Sequence, residues 1–208
     1  MPPVPYPMGV LCLTHPTDPR WAEAAVSDLP SLLSDHAHCE MKAASNALSL
    51  AARWPGIPRL VRTLAAVAEE ELGHFRAVLA ELERRGIGLG KPEVDVYAAD
   101  LRKAATKTGV HSATAALTDR LLVGALIEAR SCERFKLLVG ALEARGEGRL
   151  AGFYEELFTA EARHYTTFVD LALEVSGDER ALRDRLADLA RAEGALAAKL
   201  GRGATIHG

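Results

Sequence analysis

The sequence predicts an all-α protein built around four long helices. Aromatic residues make up only 5% of the 208 residues, β-branched runs are scarce, and alanine and leucine dominate, a composition that favours helices over strands. Apolar residues recur with helical spacing through four long segments. Because 49% of the residues are apolar, the chain can bury a sizeable core and is not expected to be disordered. We expect a single domain over residues 1–208.

The sequence predicts seven helices, and residues that commonly end helices mark several of their boundaries. The proline-rich residues 1–20 are expected to form an extended arm. The predicted helices run from Trp21 to Ser27, Leu29 to Arg53, Pro58 to Arg85, Val94 to Lys107, Ser112 to Arg145, Gly148 to Val175 and Asp178 to Leu200. The motif WPGIP ends the second helix, and Gly86 ends the third after a basic last turn that suits the helix dipole. Residues 178–208 form the C-terminal helix and tail.

The connection between the second and third long helices is itself long. Its sequence, GIGLGKPEVDVYAADLRKAATKTGV, is expected to hold only one short helix. A four-helix bundle with one long crossover is typical of the ferritin-like fold rather than of a simple up-and-down bundle. We therefore predict a ferritin-like four-helix bundle with accessory helices.

Charge and cysteine usage exclude several classes of protein. The formal net charge of −3 gives no general electrostatic case for nucleic-acid binding. Cys12, Cys39 and Cys132 are widely spaced and form no C-x-x-C pair, so neither a zinc knuckle nor a disulfide framework is indicated. No apolar run approaches the roughly 20 residues needed to cross a bilayer, and no signal-peptide pattern is present. We expect a cytoplasmic protein that makes no contact with membranes.

The motif E-x-x-H occurs twice, as Glu71 with His74 and Glu161 with His164. Residues at i and i+3 share one helical face, so each pair can bind the same metal ion. With 18 glutamates and 7 histidines in the chain, a single match would be weak. Both pairs lie on apolar faces, however, where carboxylates without partners are rarely buried.

The two remaining long helices each offer one inward-facing glutamate. Glu40 is the only glutamate on its helix and lies among small residues. On the third long helix, Glu128 shares its face with apolar residues. Glu133 has Arg130 and Lys136 three residues to either side and is expected to face solvent. We therefore choose Glu128 as the fourth carboxylate.

The two halves of the chain repeat this pattern at nearly equal spacing. Glu40 precedes Glu71 by 31 residues, and Glu128 precedes Glu161 by 33. Packed about a pseudo-two-fold axis, the halves would bring four carboxylates and two imidazoles to two metal ions. Such an oxygen-rich set suits iron or manganese. The predicted metal ligands, which are also the predicted catalytic residues, are Glu40, Glu71, His74, Glu128, Glu161 and His164.

Other polar residues near these positions are open to two interpretations. His36 lies four residues before Glu40 and could hydrogen-bond that ligand or make an ordinary polar contact. Tyr165 follows a ligand and could relay a radical, although a packed core tyrosine is the simpler interpretation. Cys39 and Cys132 are explained as small buried apolar residues. No supporting pattern surrounds the remaining candidates, His38, His111 and His207.

Three stretches of the chain resemble a known family. DHAHCEMKAASNALSL, EEELGHFRAVL and LIEARSCERFKLL are similar to the MiaE-like tRNA 2-methylthio-N6-isopentenyladenosine hydroxylases. The similarity covers most of the chain, from about Trp21 to Val175, and continues more loosely into the tail. It implies a ferritin-like fold, two carboxylate-bridged iron ions with O₂ as co-substrate, and hydroxylation of an isopentenyl group on a hypermodified adenosine beside the anticodon. The six predicted ligands fall on the positions that the resemblance implies.

The resemblance also implies tRNA and an unidentified electron-donor protein or reductase as partners. Because phosphate contacts provide most of the affinity for nucleic acid, tRNA needs a local basic surface. The favoured candidates, in the crossover, are Lys91, Arg102, Lys103 and Lys107. A second set, interspersed with acids on the last helix, is Arg180, Arg183, Arg185 and Arg191. Space for the isopentenyl chain is expected beside Ala44, Gly124 and Ala125.

Three alternatives use part of the same pattern. A ferritin-like or rubrerythrin-like protein that handles iron or peroxide would use the same ligands, but the chain has no rubredoxin-type cysteines. A di-iron hydroxylase of a small lipid or quinone would differ only in its substrate. A purely structural helical bundle would need neither metal nor the repeated E-x-x-H motif.

Overall fold

The computed structural model describes residues 11–92, 95–108, 112–201 and 203–207. Within these ranges the chain forms seven α-helices and no strand, as the all-α prediction requires. The helices are α1 (Arg20–Ser27), α2 (Leu29–Arg53), α3 (Pro58–Arg84), α4 (Val96–Thr108), α5 (Ala113–Ala144), α6 (Gly148–Ser176) and α7 (Glu179–Ala197). None of them is long and apolar enough to cross a membrane.

The predicted boundaries agree with the observed helices to within three residues. The predicted start of the crossover helix at Val94, the candidate His111 and residues 1–10 of the predicted arm lie outside the described residues. The rest of the predicted arm, residues 11–19, forms turns and irregular backbone ahead of α1.

The chain divides into two compact units. The α2–α3 unit comprises Glu23–Val94 with Arg202–Ile206, and the α5–α6 unit comprises Met1–Ala22, Asp95–Gly201 and His207–Gly208. In the first, α2 packs along α3. In the second, α5 packs along α6, α7 contacts both of these helices, and α4 contacts α5 and α7. The single domain over residues 1–208 stays a prediction.

In the α2–α3 unit, α2 is anchored to the segment that follows α3 and to the tail. The Ser34 hydroxyl accepts a hydrogen bond from the backbone N–H of Gly90 at 2.9 Å, and Nε2 of His38 donates to the Gly90 carbonyl at 2.8 Å. On the same helix, the Asp35 carboxylate accepts a hydrogen bond from the backbone N–H of Ile206 at 2.6 Å. His38, for which the sequence offers no role, thus holds the chain where it leaves α3.

In the α5–α6 unit, local signals set the ends of the long helices. The Ser112 hydroxyl accepts from the backbone N–H of Ala115 at 3.0 Å and caps the start of α5. Gly146 adopts a φ of 74°, a left-handed conformation that favours glycine. This turn lets the N–H of Glu147 reach the Leu142 carbonyl at 3.0 Å, so α5 ends and α6 begins within four residues.

A buried ion-pair network ties α5 to α7 and to the segment before α1. The Arg130 side chain, which has no solvent exposure, donates through Nε and Nη2 to the Glu193 carboxylate at 2.9 Å each. Its Nη1 donates to the Thr17 hydroxyl at 3.0 Å and pairs with Glu133. The Tyr97 hydroxyl donates to the same Glu193 carboxylate at 2.9 Å. The carboxylates of Glu193 and Glu133 therefore compensate the buried guanidinium.

The prediction that Glu133 faces solvent is wrong. Its side chain is buried, and it accepts hydrogen bonds from the backbone N–H and the hydroxyl of Thr17 at 3.0 and 2.6 Å. The segment before α1 covers this face of α5, which charge spacing within the helix cannot reveal. His207 is also buried: its Nε2 lies 3.1 Å from the Ser131 hydroxyl, and its ring stacks on Tyr97.

We expect Arg130→Met to destabilise the protein by about 3–5 kcal/mol, because it leaves two buried carboxylates without their cation. Urea unfolding followed by circular dichroism measures this change. Arg183→Met is the matched control, since Arg183 and Glu179 form an exposed pair on α7, and its effect should stay below about 1 kcal/mol. Equal effects of the two substitutions would contradict the assigned role of Arg130.

Candidate metal centre

The α2–α3 unit brings together three of the predicted metal ligands. Glu40 on α2 and Glu71 on α3 are buried, and His74 on α3 is half-buried. One ligand atom from each of these residues lies within 4.8 Å of the others. Nδ1 of His74 lies 3.3 Å from Oε2 of Glu71 and 3.5 Å from Oε2 of Glu40. The i, i+3 spacing thus places both α3 side chains against the glutamate of α2.

The α5–α6 unit repeats the arrangement with the other three predicted ligands. Glu128 on α5 and Glu161 and His164 on α6 are all buried. They too offer ligand atoms within 4.8 Å of one another. Nδ1 of His164 lies 3.3 Å from Oε2 of Glu161, the same distance as in the first unit. Each unit therefore contains a half-site made of one glutamate and one E-x-x-H pair.

The two half-sites differ in that only the α2–α3 half-site has a histidine, His36, bound to its glutamate. Its side chain is fully buried, and its Nε2 donates to Oε1 of Glu40 at 2.6 Å. On α5 the position four residues before Glu128 is Gly124, which has no side chain to offer. A Cβ at Gly124 would lie 3.1 Å from the Phe168 ring, so this ring fills the space beside it. The expectation that Gly124 leaves room for an isopentenyl chain is therefore wrong.

The donor set of each half-site fits a hard or borderline divalent metal. Two carboxylates and one imidazole are typical ligands of iron and manganese, whereas no thiolate takes part. Carboxylates buried this deeply are costly unless a cation or proton compensates them. The exposed fraction of the His74 side chain is 16%, against 3% for His164, so solvent reaches the α2–α3 half-site more easily.

Of the three cysteines, Cys132 is buried, whereas Cys12 and Cys39 are half-buried, so the interpretation of Cys39 as a fully buried apolar residue is wrong. Burial and the charge of Glu161 raise the pKa of Cys132 to about 12. Burial likewise raises the pKa of Cys12 to about 11. These environments agree with the sequence interpretation of Cys132 and Tyr165 as packed core residues. They give the thiols little thiolate character at neutral pH.

The basic residues predicted to contact tRNA are divided between the units. Lys91 is exposed and belongs to the α2–α3 unit, and the other three lie on α4 in the α5–α6 unit. On α4, Arg102 is half-buried, and Lys103 pairs with Asp100 at 2.9 Å, whereas Lys107 is exposed. A role for this set in tRNA binding stays a prediction.

The second basic set, on α7, is largely paired with carboxylates. Arg183 pairs with Glu179, and Arg191 pairs with an aspartate three residues earlier. Arg185 donates from Nε and Nη2 to the Asp119 carboxylate at 2.7 Å each. The preference for the crossover set over the α7 set stays a prediction.

Comparison with known proteins identifies relatives along nearly the whole chain. A curated tRNA 2-(methylsulfanyl)-N(6)-isopentenyladenosine(37) hydroxylase of Pseudomonas putida is 43% identical over 176 residues, which cover 85% of this chain and 78% of that protein. The hydroxylase of the same name from Salmonella typhimurium is 29% identical over 226 residues, covering 85% of this chain and 81% of that protein.

A solved structure is similar over its full length. "Protein 43 with aldehyde deformylating oxygenase activity from Synechococcus" aligns with a TM-score of 0.83 and 34% identity, covering 94% of each chain. This similarity confirms the predicted ferritin-like fold class. The sequence model described as tRNA-(MS[2]IO[6]A)-hydroxylase (MiaE) matches residues 7–208. The chain therefore belongs to the tRNA-(MS[2]IO[6]A)-hydroxylase (MiaE) family.

Proposed function

We propose that this chain is an O₂-dependent di-iron monooxygenase that hydroxylates the isopentenyl group of 2-methylthio-N6-isopentenyladenosine beside the anticodon of tRNA. Family membership supports the reaction, and both curated relatives carry the name of a hydroxylase of this nucleoside. The observation that carries the proposal is the pair of half-sites, each with two carboxylates and an imidazole within 4.8 Å of one another. An enzyme that modifies tRNA acts where tRNA is found, so we place it in the cytoplasm.

The two half-sites together are proposed to hold two iron ions. The ligands would be Glu40, Glu71, His74, Glu128, Glu161 and His164. When bound, the iron pair supplies the redox chemistry that activates O₂ for insertion into a C–H bond. The protein supplies the negative charge that retains the metals and the apolar surroundings that limit access of water.

The overall reaction requires a second partner. Hydroxylation places one oxygen atom of O₂ in the new C–OH group and releases the other as water, which consumes two electrons and two protons. The substrate C–H bond and O₂ do not provide these two electrons. We therefore propose an electron-donor protein or reductase as a partner.

His36 is proposed to position Glu40 for metal binding. It donates to Oε1 of Glu40, while Oε2 of the same carboxylate lies 3.5 Å from Nδ1 of His74. With Oε1 engaged by His36, the oxygen directed toward the other ligands of the half-site is Oε2. A fixed carboxylate of this kind loses less conformational entropy when the metal binds.

Oxygenation of an aldehyde is the second candidate function. The solved structure that aligns over 94% of this chain is of a protein named for aldehyde deformylating oxygenase activity. The identity of 43% to the tRNA hydroxylase of Pseudomonas putida exceeds the 34% to that structure. This difference favours tRNA as the substrate, and an aldehyde is the appropriate competing substrate in an assay.

Mass spectrometry of tRNA nucleosides tests the function directly. We expect cells that contain this protein to accumulate the hydroxylated nucleoside, and cells that lack it to retain the unhydroxylated isopentenyl form. Purified protein with iron, O₂ and a chemical reductant should convert the same tRNA in vitro. Conversion of an aldehyde without conversion of tRNA would overturn the proposal in favour of the second candidate.

Glu71→Gln is expected to reduce bound iron from two ions per chain toward one or none, because it removes a negatively charged ligand from a buried half-site. Elemental analysis after anaerobic reconstitution measures the loss. The matched control is Glu69→Gln, an exposed glutamate on the same helix, which should retain both ions. Without metal, Glu71→Gln should raise Tm, since it removes repulsion between two buried carboxylates. Retention of both ions in Glu71→Gln would contradict the ligand assignment.

His36→Leu is expected to weaken one of the two metal-binding steps by about 10–100-fold, because Glu40 loses the donor that fixes it. Cobalt(II) titration monitored by visible absorption gives both affinities and the ligand-field spectrum. His36→Gln keeps an N–H donor and should recover most of the affinity. His38→Leu removes the other buried histidine of α2 and serves as the control. Equal weakening by His36→Leu and His36→Gln would show that the hydrogen bond is unimportant.

A further inference from the structure

His74 is the most accessible of the six predicted metal ligands. The other five ligands are buried, whereas His74 is half-buried, with 16% of its side chain exposed. A nucleoside that stays attached to tRNA cannot be enclosed by a chain of this size, so its reacting group has to pass through an opening at the protein surface. The surroundings of His74 therefore show where such a group can reach a metal ligand.

His74 lies at the edge of the buried face of α3. Glu71 and Val78, on one side of it, are buried. Glu70 and Ala77, on the other side, are exposed. All four are its neighbours on the helix surface, because they lie three or four residues away. The exposed part of the imidazole therefore faces the side of α3 that carries Glu70 and Ala77.

The imidazole of the second half-site is more enclosed. His164 on α6 has Ala160 and Thr167 at the positions equivalent to Glu70 and Ala77. Ala160 is buried and Thr167 is half-buried, and only 3% of the His164 side chain is exposed. Of the two half-sites, the one on α2 and α3 thus offers the easier approach from solvent.

Small residues line the open side of His74. Gly73 lies on that side between the two ligands of α3, and a Cβ here would meet no other part of the chain within 4 Å. Glycine weakens the interior of a helix relative to alanine, and Gly73 has no positive φ that would require it. The equivalent residue of α6 is Arg163, which is exposed. With a methyl group at Ala77 and no side chain at Gly73, α3 leaves space beside the imidazole.

This space fits an apolar group. The backbone N–H and C=O groups of Gly73 lie in the interior of α3, where hydrogen bonds within the helix occupy them, and Ala77 offers only a methyl group. Such a surface provides van der Waals contact and releases water when an apolar group covers it. In the proposed reaction, the part of the substrate that has to approach the metal ligands is an isopentenyl group, which is apolar.

We infer that the isopentenyl group of the substrate reaches the metal ligands over Gly73 and Ala77, here called the rim, and that the small size of both residues determines which groups can enter. The inference rests on the proposed function and adds two specificity-determining residues to it. His74 and the rim all belong to the α2–α3 unit.

Substitution of the rim by leucine tests the inference. Gly73→Leu and Ala77→Leu each place a bulky side chain on the open side of His74, and both should fold because leucine is a good helix former. Helical side chains lean toward the preceding turn, so the substitution at Ala77 covers His74 more directly. The matched control is Gly140→Leu, since Gly140 is an exposed glycine inside α5 whose Cβ would likewise meet no other part of the chain within 4 Å.

Binding without turnover gives the main readout. Iron-reconstituted protein is titrated anaerobically with two forms of the same tRNA, one that carries the isopentenyl group and one from cells unable to attach it. We expect the unmodified protein and Gly140→Leu to bind the prenylated form about tenfold more tightly, because it buries additional apolar surface. In Ala77→Leu and Gly73→Leu this preference should fall to about twofold or less, while the affinity for the other form stays unchanged. In air with a chemical reductant, kcat/KM for the prenylated tRNA should fall in parallel.

Elemental analysis and circular dichroism verify that each variant keeps its iron and its fold. If the rim variants keep the preference of the unmodified protein, or lose affinity for both tRNAs equally, the inference is overturned. Loss of iron from both rim variants also overturns it, since the rim would then support the metal ligands instead of leaving an opening. If the unmodified protein converts prenylated tRNA but shows no preference in binding, only the inference fails. If it neither prefers nor converts this tRNA, the proposed function fails as well.

Discussion

The burial of four carboxylates on helix faces that are otherwise apolar is the constraint on which the rest of the structure depends. In each unit two glutamates approach one another and an imidazole to within 4.8 Å. Desolvation and like-charge repulsion both oppose this arrangement unless a cation or proton compensates it. Burial of the apolar faces drives the hairpins to fold. The negative charge that these faces enclose makes each half-site suited to a metal cation.

The helices and the half-sites could be predicted because both depend on the spacing of residues that are close in sequence. Apolar periodicity set the helix boundaries to within three residues, and the i, i+3 rule placed Glu71 beside His74 and Glu161 beside His164. The network around Arg130 could not be predicted, because Glu133 contacts Thr17, which is 116 residues away in the chain. Contacts between residues so far apart in sequence produce no periodic pattern. The charge spacing on α5 alone wrongly predicted that Glu133 faces solvent.

The half-sites contain the same ligand types but have different surroundings. Glu40 is held by His36, whereas the equivalent position on α5 is Gly124. The imidazole of the α2–α3 half-site is also the more exposed of the two. Repetition of a motif in sequence therefore does not give the two half-sites equivalent environments. The difference arises from residues one helical turn away from the carboxylates.

The contact between Gly124 and Phe168 has a consequence for spacing. Gly124 lies one turn before Glu128 on α5, and Phe168 lies one turn after His164 on α6. A single methyl group added at Gly124 would meet the ring at 3.1 Å, so the two helix axes would have to move apart or the ring would have to turn. The absence of a side chain at Gly124 therefore lets the Phe168 ring pack against α5 one helical turn from Glu128.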